Sequence, residues 1–310
     1  MKSILTRLAL TLPVVWLVVS LVFLLIHLGP GDPIQQMLGD GATPTDTATL
    51  RHQYFLDLPL PQQYLRYWAG VLHGDLGNSI RLHDTVAHLI AARYPYTLAL
   101  TLTALGLGLL LALPAGILAA VNRGRWLDQL LSVVSLFGLS VPGLVLGPVL
   151  ILVFSISLGW LPVSGANSGG SASIDWRYLV LPSIAMGASL AAILTRMVRT
   201  AMLEELSQDY IRTARAKGLS ETAVVCRHAL PNALVPIITV VGLQFGALLA
   251  GAIVTETIFS WPGLGRLTVS AISNRDYALV QGCLLSIGLT YVLVNLLTDV
   301  VYRWVNPRMR

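Results

Sequence analysis

Lysine occurs only twice in the 310-residue chain, at Lys2 and Lys217. Neither stands behind the glycines of a phosphate-cradling loop, G-x-x-x-x-G-K-[ST], so no ATP site is expected in this chain. The histidines offer no better catalyst. His52, His73, His83 and His88 share one stretch without an HxH or HxxxH pair, so surface histidines are expected there and no metal site. Cys226 lies in polar text and Cys283 in an apolar run, without ligand spacing, and both read as ordinary thiols. Neither H-E-x-x-H nor G-x-S-x-G is present. Hydrolytic chemistry therefore has no residues to carry it, and the chain is not expected to be an enzyme.

Charge concentrates instead in one polar island, Ser207 to Pro231, SQDYIRTARAKGLSETAVVCRHALP. It sets Arg212, Arg215, Lys217 and Arg227 beside Asp209 and Glu221, between two long apolar runs. A segment this charged cannot sit in hydrocarbon and must meet water. Its pattern is helical. Ser207 is placed to cap a first helix, with Asp209 in the positive first turn. That helix would set Leu206, Tyr210 and Thr213/Ala214 on one face and stop at Gly218 in a left-handed turn. Ser220 would cap a second helix, closed by Leu230-Pro231, because the residue before proline is pushed out of the helical region. Two short helices around a glycine make a compact knuckle suited to docking.

The elements that position this knuckle are membrane spans. Apolar residues make up 55% of the chain and charged ones 11%, against about 25% charged in a soluble domain. Mean hydropathy is +0.72. The first apolar run, Leu8 to Leu28, behind a basic flank of Lys2 and Arg7, has about the 20 residues that cross a bilayer and reads as a retained span rather than a signal peptide. Five more runs follow, at about 95–121, 135–158, 178–198, 234–257 and 279–302. Residues 127–134 read as an entry segment near the membrane. Pro114, Pro142, Pro148 and Pro236 predict kinks, and the frequent glycines suit close helix packing in lipid.

With the N-terminus inside, thirteen of the twenty Lys and Arg residues fall in inner segments, which puts both termini and the island in the cytoplasm. The +5 net charge thus reports topology, and nucleic-acid binding has no support. Arg196 and Arg199 are expected to anchor the fourth span at the inner lipid surface. Residues 29–93 form an outer segment whose aromatic and leucine content predicts short amphipathic helices on the membrane. The Gly/Ser-rich loop near 159–176 reads as flexible. Three further polar residues are candidates for a gate or for structural hydrogen bonds. Glu256 lies near the outer end of the fifth span. Asn295 and Asp299 are four apart on the last, with Asp299 placed to pair with Arg303. The spans otherwise offer no distinct polar pocket.

The island resembles the cytoplasmic loop of the permease subunits of binding-protein-dependent ABC importers, E-A-A-x-x-x-G, nine residues, then I-x-L-P. Ala214, Gly218, Leu230 and Pro231 match. Arg212, Thr213 and His228 depart, which puts the usual salt-bridge partner in doubt. DYIRTARAKGLS, GDPI, LPLPQQY, GDLGNSI and ETIFSWPGLG are similar to the text of B-type permeases for dipeptides, oligopeptides, glutathione and nickel, and the likeness covers nearly the whole chain.

That resemblance implies an all-α integral membrane protein with the type I ABC importer permease fold. It would have six transmembrane helices and both termini cytoplasmic (N-in/C-in), in a bacterial inner membrane. It divides the chain into a first span, 1–28, an extracytoplasmic segment, 29–93, a permease domain, 94–303, with its coupling loop at 200–232, and a tail, 304–310. It implies as partners a second homologous permease in a pseudo-twofold heterodimer, two ATPase subunits that bind ATP and Mg, and an extracytoplasmic binding protein. Tyr210, Ala214 and Gly218 would form the packed part of the knuckle that docks on an ATPase. Arg212, Thr213, Arg215 and Lys217 would make polar contacts, with Leu230 and Pro231 closing the loop. Dipeptides or short peptides are the first cargo the resemblance suggests, with glutathione or a nickel chelate as alternatives. An ion-coupled secondary transporter is the rival class, though spans nearly free of charge offer little to couple an ion gradient.

Overall fold

The computed structural model describes residues 2–28, 34, 43–53, 55–167 and 174–305. Among these there is no β-strand, only an isolated bridge between Asn78 and Thr85. The described residues divide into two compact units, one formed by 1–95 and 262–293, the other by 96–261 and 294–310. GDPI and the basic tail beyond residue 305 lie mostly or wholly outside the described residues, as does the middle of the Gly/Ser loop.

In the first unit, α1 (Lys2–Leu28), α2 (Pro44–Gln53) and α3 (Leu60–His73) precede the start of α4 (Val86–Val121). The short helices α11 (Leu264–Ser273) and the first part of α12 (Tyr277–Val305) complete it. Helix α3 is amphipathic, as the sequence predicts. Tyr67, Trp68 and Val71 pack on Val19 and Val22 of α1 and on Leu285, whereas Leu65 and Leu72 project outward. It ends at Gly74, whose φ of 75° is the left-handed conformation that favours glycine. The Ser79 hydroxyl donates to Asp276 at 2.5 Å, and the Gln281 carboxamide donates to the Val22 carbonyl. The first bond ties the 29–93 segment to a partner 197 residues away in sequence, and the second ties α1 to α12 across 259 residues. The histidines have ordinary partners: His52 pairs with Asp57 and His88 with Asp84.

The second unit holds the rest of α4, then α5 (Trp126–Ser140), α6 (Gly143–Leu150), α7 (Trp176–Leu206), α8 (Asp209–Ala216), α9 (Glu221–Ala223) and α10 (Leu230–Ile258), with the end of α12. Among the described residues, four helices are long and apolar enough to cross a membrane, at 86–121, 176–206, 221–258 and 277–301, and a bent pair would make a fifth. The second expected span starts earlier than the sequence suggests, at Val86, and its helix runs unbroken past Pro114. The third is broken: α5 meets α6 at 96° across Val141-Pro142. Proline cannot donate the next helical hydrogen bond, and Val141 before it is extended (ψ 113°). The expected entry segment at 127–134 is thus the first half of α5.

Close helix contact rests on glycine. A side chain at Gly116 of α4 would meet the Val198 Cβ at 2.5 Å and the Thr195 carbonyl at 2.8 Å on α7. One at Gly187 of α7 would meet the Ala104 carbonyl of α4 at 2.9 Å, and one at Gly242 of α10 would strike Thr298 at 2.4 Å. The first two approaches let α4 and α7 pack nearly backbone to backbone, and the third brings α10 close to α12, the arrangement favoured where the hydrophobic effect cannot press helices together. At Gly251 the same side chain would meet nothing within 4 Å.

Arg199 departs from its expected lipid-anchor role. Its Nε and Nη2 donate to the two carboxylate oxygens of Asp128 at 2.6 and 2.9 Å, and Asp128 is only 4% exposed. This forked pair fastens the start of α5 to α7, where a guanidinium left to lipid would have no such partner.

Overpacking the α4–α7 contact should cost about 1–3 kcal/mol. Gly116→Leu is therefore expected to lower the thermal midpoint and monodisperse yield of the detergent-purified protein, while Gly251→Ala leaves both unchanged. Equal behaviour of the two variants would remove the packing argument.

Candidate functional site

The island folds as a knuckle between α7 and α10. Ser207 does not cap α8. It closes α7, its hydroxyl donating to the Glu204 carbonyl, and the extended residue before α8 is Gln208, with no side-chain cap bond. Helix α8 then makes two turns. Its buried face is Ile211, 0% exposed, and Ala214 at 6%. The expected face of Leu206, Tyr210, Thr213 and Ala214 is thus rotated by one residue. Ile211 is the only branched aliphatic residue in DYIRTARAK, and that was the available signal. Thr213 and Tyr210 are exposed.

Gly218 provides the stop. Its φ is +79°, its N–H bonds to the Arg215 carbonyl, and the Leu219 N–H returns to Ala214. This left-handed termination is the one the sequence predicts. Beyond it, Ser220 accepts from the Ala223 N–H, a true N-cap. Arg215 forks onto Glu221 across the turn at 2.7 and 3.2 Å, while Arg212 reaches Asp209 at 3.3 Å. Both pairs are exposed and contribute little to stability. Lys217 is exposed at the C-cap of α8.

The second helix does not end at Leu230-Pro231. It passes through a wide π-type segment, Val224–Ala229, and continues as α10, with Leu230 still helical at φ −57° and ψ −44°. Pro231 occupies the first turn of α10. The i→i+5 spacing of the preceding turn removes the demand for its missing N–H, which is why the sequence rule fails here. Residues 221–258 form one continuous apolar helix.

The underside of the knuckle is a shared core. Ile211 and Ala214 pack with Ala120 at the end of α4, with Val198 and Met202 of α7, with Val224, Val225 and Ala229, and with Ala233 and Ile237 of α10. Tyr210 seals the rim. Its hydroxyl donates to Glu205 and accepts from the Asn232 carboxamide at 3.0 Å. Glu205 and Asn232 were not among the expected site residues, because residues at such separations are not paired by any local pattern.

Glu256 lies at the other end of α10, fully buried, and accepts from the Thr97 hydroxyl at 2.6 Å. Its carbonyl accepts from the Trp261 N–H, and the Trp261 indole donates to the Tyr96 carbonyl at 2.9 Å. These bonds bind the turn after α10 to α4. Asn295 and Asp299 are half-buried on α12, and the side chain of Arg303 lies outside the described residues. Neither Glu256 nor this pair joins the knuckle.

An all-helical fold of this kind is shared with solved ABC transporters. Two inward-facing crystal forms of the MetNI methionine ABC transporter align with TM-scores of 0.57 and 0.60 at 20% and 21% identity, over 70% of this chain and 96% of theirs. A histidine-bound amino acid ABC transporter aligns at 0.52 and 17% identity, over 71% of this chain and 94% of its own. The fold class is that of type I ABC importer permeases. Residues 112–310 match the family described as binding-protein-dependent transport system inner membrane component, and residues 1–101 its N-terminal domain. The glutathione transport system permease proteins GsiC of Escherichia coli O6:H1 and of Salmonella paratyphi A are each 44% identical over 310 residues, covering all of this chain and 99% of theirs. That of E. coli K12 is 43% identical with the same coverage. The chain belongs to this family. It is the multi-pass inner-membrane permease subunit of an ABC importer, working with a binding protein and with ATPase subunits that hydrolyse the nucleotide. The ion-coupled secondary transporter falls with that membership.

Truncating Ile211 to Ala should cost about 2–5 kcal/mol of local packing. Trypsin would then cut the folded protein faster at Arg212, Arg215 and Lys217, with Tyr210→Phe giving a smaller increase. Cleavage of Ile211→Ala at the native rate would mean that the knuckle is not held by this core.

Proposed function

We propose that the knuckle is the port through which ATP-driven motion enters this subunit. The observation that carries the reading is the seating of Ile211 and Ala214 in one core with α4, α7 and α10. A push on α8 acts on three apolar helices through close-packed side chains, and such interiors transmit strain because they are dense. Arg212, Thr213, Arg215 and Lys217 present polar groups on the outer face of α8, where an ATPase groove would receive them. Leu230 and Pro231 carry the motion directly into α10. ATP and Mg belong to the ATPase partners, and this chain contributes no cofactor site.

The arrangement further requires six spans with both termini cytoplasmic, α1 and the bent α5–α6 pair being two of them. It also requires a second related permease completing a pseudo-twofold pore. The extracytoplasmic segment would run to about residue 93 and the permease domain from 94 to 303. The cargo we infer is a short peptide, with glutathione the first to test. The permeases 43–44% identical over their full length are named for glutathione transport, which favours it over the dipeptides and nickel chelates suggested by sequence text alone.

Valine at Gly218 would force a β-branched side chain into a left-handed conformation at a cost of about 1–3 kcal/mol. No neighbour lies within 4 Å to add a clash. In proteoliposomes holding the whole importer and its binding protein, Gly218→Val is expected to leave insertion and assembly intact. ATP hydrolysis should then continue while cargo uptake falls by about tenfold or more, the effect of about 1.4 kcal/mol. Normal uptake would refute the coupling role.

A further inference from the structure

Within the second unit, α6, α7 and α10 line a partly open cavity of about 360 Å³, inside the range of small-ligand sites. Its lining includes Met186, Ser189, Gln244, Leu248 and Thr255, and no ionisable side chain contributes to it. Gln244 stands at the centre of α10, fourteen residues from Leu230 (244 − 230) and fourteen from Ile258 (258 − 244). It is the only carboxamide between Asn232 and the end of that helix. Ser189 lies near the middle of α7. The two hydroxyls are already used as donors, Ser189 to the Gly138 carbonyl at 3.5 Å and Thr255 to the Gly251 carbonyl at 3.4 Å. The carboxamide of half-buried Gln244 has no hydrogen-bond partner among the described residues.

A carboxamide at the depth of a membrane span carries a desolvation cost unless something polar meets it. Polar groups at such depth face a cavity or a path rather than lipid. We propose that Gln244, backed by Ser189, is the point where this subunit touches its cargo in mid-membrane, and that the group it recognises is a peptide amide. The carboxamide carries one acceptor and two donors and so matches the C=O and N–H of a peptide unit. With no fixed charge on the walls, the site would bind the backbone weakly enough to release it, which passage through a pore demands. Small residues keep the space open, since a side chain at Gly251 would meet no neighbour within 4 Å. This inference rests on the peptide-importer reading and adds to it a contact residue that the expectation of spans without a polar pocket had passed over.

The test uses the complete importer in proteoliposomes and a panel of tripeptides of net charge −1, 0 and +1, with glutathione among the anionic members. Gln244→Leu should slow uptake of every transported member by about fivefold, the worth of one neutral hydrogen bond. Gln244→Glu should select against the anionic members relative to the cationic one, and Gln244→Lys should reverse that order. A merely structural role for Gln244 would make the Glu and Lys variants lower uptake of all members alike, whatever their charge, and that result would overturn the proposal. So would an unchanged order of preference, or loss of assembly with the second permease, which would make this cavity a packing face. If the native importer carries no member of the panel, the peptide-cargo reading itself fails, and it does so before any variant is compared.

Discussion

One small apolar core governs the knuckle end of the second unit. Ile211 has no exposed surface, and it can be buried only because α4, α7, the wide segment before α10 and α10 itself all converge on it. None of these elements could bury the residue alone. A two-turn helix is too short to be stable by propensity, so α8 exists because its face is taken up by neighbours. That dependence runs both ways and makes the knuckle a handle on the spans rather than a loose loop.

The spans in turn depend on how closely their backbones approach. Lipid tails are as apolar as leucine, so leucine-rich surfaces alone give no reason for one helix to prefer another. Gly116 and Gly187 supply that reason by letting α4 and α7 meet, and Gly242 by letting α10 meet α12, where any Cβ would collide. The Asp128–Arg199 fork adds a directional tie between α5 and α7. At the far end of α10, Glu256 with Thr97 and Trp261 with Tyr96 hold the turn to α4. Shape and a few buried polar bonds thus do for this unit what water-driven collapse does for a soluble core.

Some of the site was legible from local text and some was not. The Gly218 stop and the Ser220 cap follow from single-residue stereochemistry, and both occur. The break at Val141-Pro142 follows from proline's missing donor, although its 96° sharpness does not. The Ser207 cap failed because α7 runs to Leu206 and uses that residue for its own termination. The closure at Leu230-Pro231 failed because a π-type turn absorbs the proline, and nothing in the residue types announces that spacing. Arg199 was read as a lipid anchor because its partner, Asp128, is 71 residues away in sequence.

The amino-acid sequence alone determined that this chain is helical, lies in a membrane, and carries one water-exposed charged knuckle. Those properties follow from hydropathy, charge and the conformational limits of glycine and proline, all of which act over a few residues. The tertiary structure alone decided which face of the knuckle is buried, which arginine is locked to a carboxylate, and that Gln244 opens onto a cavity instead of a neighbour. Each of these depends on residues brought together across dozens of positions, and only the packing of the helices fixes which partners meet.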